Sequence, residues 1–223
     1  AIGFKDTVYG SIKVNTATIG DFIIIRSNGL PTYNFSVVID DALMKITHVI
    51  RGEDHLTNTP KQILIYNAFG FNVPVFTHLP MILGEDGQKL SKRHGSISIE
   101  KYIEEGFVRE AALNYLALLG WSYGEKTTVF SIKELIEKFN IDSINKKPAK
   151  FDYSKLLWMN GYYIRNMERS RLKKLLEEQI GDFLAGSDAS ELEDQTEKPG
   201  SMIEKIIPLV KERIKTIRDS VDL

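Results

Sequence analysis

The 223-residue sequence contains no cysteine. That excludes a disulfide framework, a thiolate zinc site and a cysteine nucleophile. No apolar run approaches the roughly 20 residues that span a bilayer, and no signal peptide opens the chain, so the cytoplasm is the expected location. Charge of either sign is not in excess: 29 Lys and Arg face 30 Asp and Glu, for a net charge of -1. Such a balance argues against a simple polyanion binder. The four histidines, His48, His55, His78 and His94, lie in different segments and form no HExxH-like pair, so no metal site is expected. There is no internal repeat. An initiating Met is also lacking, since the chain opens Ala-Ile-Gly, which suggests a piece of something larger.

What is present is ordinary for a globular protein: 43% apolar and 26% charged residues, enough for one or two domains with a real core. The first 95 residues read as strands and loops with some helix. Phe22–Arg26 (FIIIR), Phe35–Ile39 (FSVVI) and Ile46–Arg51 (ITHVIR) are short β-branched runs bounded by turn residues, and each is expected to be a strand. A helix should follow, with Thr59 as N-cap, Pro60 at the first helical position, Gln62 completing a capping box and Gly70 at the end. Another strand falls within Val73–Leu83. Strand, helix, strand in that order suggests a parallel α/β crossover.

After residue 98 the period becomes helical. Ile132, Leu135, Ile136 and Phe139 follow i, i+3, i+4, i+7 behind a Ser131/Glu134 capping box. Leu172, Leu175, Leu176, Ile180, Phe183 and Leu184 continue the pattern. So do Ile203, Ile206, Ile207, Val210, Ile214 and Ile217 behind Ser201/Glu204. The acidic stretch Gly186–Gly200 reads as a loop. The fold class expected is therefore α/β followed by all-α.

Several segments carry chemistry. Lys89-Leu90-Ser91-Lys92-Arg93 puts three cations and a hydroxyl in five residues, flanked by Gly84, Gly87 and Gly95. Mobile cations suit a triphosphate, where charge builds as pyrophosphate leaves; alone, the loop reads sooner as a solvated basic surface. Arg51-Gly-Glu-Asp54-His55 follows an expected strand, and ligands bind at the carboxyl ends of strands in open α/β sheets. Arg51 could clamp a carboxylate bidentately and Asp54 could accept from ribose hydroxyls. A surface ion-pair turn accounts for the segment equally well. Tyr33 could point into the same cleft or simply cap a strand. Asp40-Asp41 reads as a helix N-cap more readily than as a metal pair. Between residues 145 and 175, nine Lys and Arg face two acids, interleaved with Phe151, Tyr153, Trp158, Tyr162 and Tyr163. That fits a phosphate-backbone contact surface or, as readily, a helix pair with an aromatic core.

Taken together, PTYNFSVVIDD (31–41), THVIRGEDHLTNTPKQILIY (47–66), HLPMILGEDGQKLSKRHG (78–95), EAALNYLALLGW (110–121) and FDYSKLLWMNGYYI (151–164) resemble bacterial-type glutamyl-tRNA synthetase, a class I aminoacyl-tRNA synthetase. The resemblance runs in one order and spacing from about residue 20 to 165, then more loosely into the tail. It implies the second half of a Rossmann-like catalytic domain with the KLSKR loop over 1–97. A helical stem-contact region over 98–164 and the start of a helical anticodon-binding domain over 165–223 would follow. It implies a ligase of protein biosynthesis: ATP, with Mg2+, and L-glutamate give glutamyl-adenylate, and the glutamyl group passes to the 3' end of tRNA(Glu). In the family, activation itself needs bound tRNA. By the resemblance, Lys92 is the best candidate for transition-state stabilisation, with Lys89 beside it. Lys89, Leu90, Ser91, Lys92, Arg93, Asp54 and Leu83 would contact ATP, and Tyr33 and Arg51 would contact glutamate. Lys146, Lys147, Lys150, Lys155 and Arg165 are tRNA-contact candidates. A monomer is the family's usual state. The family's His-x-Gly-His signature is absent from these residues, so the chain alone is expected to be inactive. A non-catalytic tRNA-binding module or a glutaminyl-specific relative are the alternatives.

Overall fold

The computed structural model describes residues 1–91, 98–124, 127–186 and 199–221. They divide into two compact units. The first comprises Ala1–Leu83, Gly120–Ser122 and Phe139–Ala149; the second comprises Gly84–Leu119, Tyr123–Lys138 and Lys150–Leu223.

The first unit is built on a four-stranded sheet of order β2-β1-β4-β3, from β1 (Ile2–Asp6), β2 (Gly10–Val14), β3 (His48–Gly52) and β4 (Val75–Leu79). β1 and β2 form an antiparallel hairpin, while β1, β4 and β3 run parallel. Helix α1 (Tyr33–Leu43) packs with helix α2 (Thr59–Ala68), which joins β3 to β4 as the expected parallel crossover. Val38, Ile63, Ile65, Tyr66 and Phe76 form the core, with Phe4, Phe35, Val37 and Val49 packed around it. Gly70 follows α2 with φ +67°, a left-handed conformation that ends a helix at no steric cost for glycine.

Two expected strands are not strands. FSVVI lies inside α1, where Phe35, Val37, Val38 and Ala42 give a helical face to the core. Its five residues are too few for a β-branched run to outweigh the helical spacing of the longer segment. Asp40-Asp41 therefore falls near the end of α1 and caps no N-terminus. FIIIR is irregular apart from an isolated bridge between Ile25 and Pro31, and Ile23, Ile24 and Ile25 are exposed.

The second unit is helical, as the period predicts. It contains α3 (Ile99–Glu104), α4 (Arg109–Leu118), α5 (Ile132–Lys138), α6 (Tyr153–Arg165), α7 (Arg169–Gly186) and α8 (Pro199–Arg213). One apolar cluster holds all of these but α5, and includes Tyr115, Leu156, Met159, Ile164, Leu172, Leu176, Ile207 and Ile214. The Ser131/Glu134 box forms: the Ser131 N–H donates to Glu134 at 2.8 Å and the Glu134 N–H donates back to Oγ at 3.2 Å. The expected apolar face of α5 does not close, since Leu135 is buried but Ile136 is 77% exposed. Asn114 and Asn160 are buried and stitch the unit together. Asn114 accepts from the Phe130 N–H (2.8 Å) and Tyr163 hydroxyl (2.7 Å); Asn160 accepts from the Val108 N–H (2.8 Å). Helix α8 begins at Pro199, two residues before the expected Ser201 start. Most of the loop expected over 186–200 lies outside the described residues.

Candidate active site

The first unit gathers its polar groups where β3 and β4 end. The parallel register sets Arg51 of β3 beside His78 of β4. Asp6, the last residue of β1, is fully buried and accepts four hydrogen bonds. Oδ1 takes the Val8 and Tyr9 N–H groups at 2.9 and 2.8 Å. Oδ2 takes the His78 N–H at 3.0 Å and His78 Nδ1 at 2.7 Å. A carboxylate facing Nδ1 assigns the proton there and leaves Nε2 as an acceptor. Burial lowers the His78 pKa; Asp6 acts the other way, and the nearby Arg51 charge lowers it further. The ring is therefore neutral at pH 7.

Nε2 of His78 receives Arg51 Nε–H at 3.2 Å and lies 3.0 Å from the Thr59 hydroxyl. Arg51 Nη2 donates to Thr59 Oγ1 at 2.7 Å and to Gln62 Oε1 at 2.8 Å. The Gln62 amide nitrogen donates to Asn34 Oδ1 at 3.0 Å, so its oxygen is the end turned toward Arg51. The guanidinium also lies 5.4 Å from the Phe76 ring centroid, a favourable cation–π distance. Burial lowers the Arg51 pKa; Tyr33 and Asp41 support the charge. Three of its five N–H donors serve this network, and Tyr33 stands within hydrogen-bonding reach of the same guanidinium. The Nε/Nη2 edge that would clamp a carboxylate side-on is thus committed to the protein.

This geometry revises the reading of 59–62. The helix starts on Asn58, which makes no side-chain cap, and Thr59 and Gln62 turn inward to Arg51 and do not cap α2. As members of the Arg51 network, Asp6, Asn34, Thr59, Gln62 and His78 escaped the sequence reading. The signal that could have found them is a polar residue in apolar surroundings, such as His78 beside Phe76 and Leu79.

Tyr33 opens α1, half exposed, with its hydroxyl 3.3 Å from His55 Nδ1 and its ring tilted against that imidazole at 5.5 Å. Asp54 is exposed in the short 3-10 turn Glu53–His55 that follows β3. Gly52 before it permits a close approach: a Cβ there would lie 2.5 Å from Asp54 Oδ1. Glu53 forms no pair with Arg51. It accepts from Met81 N–H at 2.9 Å and from the Tyr9 hydroxyl, whose pKa burial and this carboxylate raise. Leu83 is half-buried in β5 (Ile82–Leu83).

In the second unit the Gly84 N–H donates to the Gln88 carbonyl at 2.8 Å, folding the turn that leads to an exposed Lys89 and half-buried Leu90 and Ser91. Lys92 and Arg93 lie outside the described residues. Lys146 and Lys147 of the first unit are exposed, as are Lys150 and Lys155 of the second, where Arg165 is half-buried. Of the five interleaved aromatics, Tyr153, Trp158 and Tyr162 are exposed, whereas Phe151 and Tyr163 pack against the core. The later cations are spent within the helices: Arg171 pairs with Glu110 at 2.9 Å, Lys173 with Glu204 at 3.0 Å, and Lys174 with Glu178 at 3.8 Å. Among the described residues, no group of three His, Cys, Asp or Glu could hold a metal ion, and no helix is long and apolar enough to cross a membrane.

Parallel strands joined through a helix, with a polar site at their carboxyl ends, place the first unit among α/β nucleotide-binding domains. Residues 1–158 match the family described as tRNA synthetases class I (E and Q), catalytic domain, and the chain belongs to that family. It is 53% identical over 222 residues to the glutamate-tRNA ligase of Aquifex aeolicus, covering 98% of this chain and 45% of that protein. Over 174 residues it is 56% identical to the glutamate-tRNA ligase of Carboxydothermus hydrogenoformans, covering 78% of this chain and 36% of that protein. A crystal structure of a glutamate tRNA ligase from Elizabethkingia meningosepticum in complex with its amino acid superposes with a TM-score of 0.83 at 32% identity. It covers 99% of this chain and 45% of that one. The chain thus spans less than half the length of these relatives.

Proposed function

We propose that this chain supplies part of the active site of a glutamate-tRNA ligase. The activity is ATP-dependent activation of L-glutamate and its transfer to the 3' end of tRNA(Glu). The carrying observation is Arg51, a half-buried cation braced on one edge by His78, Thr59 and Gln62 at the carboxyl ends of β3 and β4, with Tyr33 beside it. A fixed cation there favours a side-chain carboxylate over the neutral amide of glutamine, because the amide leaves the charge without a counter-ion. Tyr33 shares the glutamate site.

Asp54 and Leu83 contribute to ATP binding, with Lys89, Leu90, Ser91, Lys92 and Arg93. As the glutamate α-carboxylate attacks the α-phosphorus, negative charge accumulates on the departing pyrophosphate. Lys92, seconded by Lys89, stabilises that charge. Mg2+ accompanies ATP as part of the substrate. Residues 1–97 belong to the catalytic domain, 98–164 to a stem-contact region and 165–223 to the start of an anticodon-binding domain. Lys146, Lys147, Lys150, Lys155 and Arg165 contact the tRNA backbone. The protein works as a cytoplasmic monomer.

The test is glutamate-dependent ATP–pyrophosphate exchange with tRNA, using the full-length protein that carries this chain. Exchange should need glutamate, and Lys92→Ala should reduce aminoacylation roughly 100-fold or more. Equal exchange with glutamine, or an unchanged Lys92→Ala rate, would overturn the assignment.

A further inference from the structure

We infer that Asp6 and Asn34 are positioning residues for Arg51, each acting through a side chain that could face either way. Histidine has two tautomers and glutamine two amide orientations, and in each only one presents an acceptor to a guanidinium. Asp6 takes the Nδ1 proton of His78, so Nε2 faces Arg51 as an acceptor. Asn34 Oδ1 takes the amide N–H of Gln62, so Oε1 faces Arg51. Asp6 and His78 are fully buried and Gln62 is 1% exposed, so water does not compete for these choices.

The two chains converge on one edge of the guanidinium from opposite elements, β1 through β4 and α1 through α2. Thr59 fills the space between them, receiving Nη2 while lying 3.0 Å from the same Nε2. Reversing either polarity would put an N–H against an N–H. The guanidinium would then rotate away from the place where a ligand's carboxylate arrives. The inference rests on the proposed glutamate site: the network sets the affinity for the acidic amino acid and leaves the chemistry of ATP untouched.

The decisive variants come in pairs. Asn34→Leu removes the acceptor behind Gln62, whereas Asn34→Asp keeps it. His78→Phe removes the acceptor facing Arg51, whereas the amide oxygen of His78→Gln stands near the place of Nε2. In the full-length protein, Asn34→Leu and His78→Phe should each raise KM for glutamate about tenfold, the effect of one lost oriented hydrogen bond to a charged group. The kcat and the KM for ATP should stay within about twofold, and Asn34→Asp and His78→Gln should recover most of the loss. A glutamate KM unmoved by Asn34→Leu and His78→Phe, while Arg51→Leu raises it sharply, would overturn the inference and leave the functional reading standing.

A second arm uses the 223-residue chain alone and no activity. 15N NMR should show His78 protonated on Nδ1 and bare at Nε2. The Arg51 Nε–H should exchange slowly in the parent and in Asn34→Asp, and fast in Asn34→Leu. His78 found as the Nε2–H tautomer, or equal exchange in all three proteins, would overturn it whatever the enzyme does.

Discussion

The two units solve their helix starts in opposite ways. In the helical unit, side chains cap α3, α5 and α6, while α4 starts on Val108 without one. Ser98 accepts from the Lys101 N–H at the start of α3, Ser131 does the same for α5, and Asp152 accepts from the Lys155 N–H at 2.9 Å to open α6. In the α/β unit neither helix has such a cap. Thr32 turns its hydroxyl to the Ile23 and Ile24 carbonyls, Asn58 makes no capping bond, and Thr59 and Gln62 bond to Arg51. Residues that would stabilise α2 locally instead hold a half-buried cation. The helical unit uses its buried polar groups, Asn114 and Asn160, to tie its own segments together, whereas the α/β unit commits part of its interior to orienting one cation.

The largest effect that separates the units should come from the apolar cluster. Leu172, wholly buried on α7, has no role in the Arg51 site. Leu172→Ala should destabilise the helical unit by about 2–5 kcal/mol, the range for deleting a buried leucine side chain. Hydrogen exchange of α6 and α7 would report it, while amides of β3 and β4 keep their protection. Loss of protection in both units alike would erase the contrast drawn here.

Arg51→Leu is the converse. It should lower kcat/KM for glutamate by roughly 100-fold, about 2.7 kcal/mol of transition-state binding. It should cost about 1–3 kcal/mol of unfolding free energy, because the buried acceptors on His78 and Gln62 lose their donor. A stability loss of several kcal/mol would make Arg51 a structural residue first.

The same division explains what could be read from the chain alone. Helices governed by local periodicity were legible: the Ser131/Glu134 box and the leucine series of α7 fall where the spacing puts them. Tyr33, Arg51 and Asp54 stand around the end of β3, because a conspicuous polar segment after an apolar strand is itself a local signal. The rest of the site depends on strand register. Asp6 meets His78 across 72 positions of sequence, and no spacing rule connects them. Thr59 and Gln62 were misleading because a Thr-Pro-x-Gln start satisfies a capping pattern, and only the neighbouring Arg51 shows another use. FSVVI misled through composition: four of its residues favour strands, yet its place between Pro31-Thr32 and Asp40-Asp41 makes it one side of an amphipathic helix.

A pH titration sharpens the contrast, since all four histidines precede residue 95 and His48, His55 and His78 lie in the α/β unit. His78 has its pKa lowered in the folded state, mainly by burial. The unfolded chain therefore binds the proton first as pH falls below about 6.5, and folding loses stability through that window; above it the contribution is complete. Asp41, raised by burial, changes with the opposite sign as pH rises above 3.8, so the histidine step is read as a difference. Urea midpoints at pH 7.5 and 5.5, followed by Trp121 in a Trp158→Phe background, should drop for the parent and drop less for His78→Gln. Equal drops would assign the acid sensitivity elsewhere.

The smallest effect tests the caps themselves. Asp152→Ala removes the acceptor for the Lys155 N–H and should cost about 1 kcal/mol in the helical unit. Asn58 occupies the corresponding position of α2 but its side chain lies 3.3 Å from His55 Nδ1 and bonds no helix amide. Asn58→Ala should therefore cost only a few tenths of a kcal/mol, well below an ordinary cap. Hydrogen exchange over the first turns of α6 and α2 measures both. If Asn58→Ala matched Asp152→Ala, α2 would be capped in solution after all. The inward commitment of Thr59 and Gln62 to Arg51 would then carry no local cost, because the helix would have kept its own cap while lending the next residues to the site.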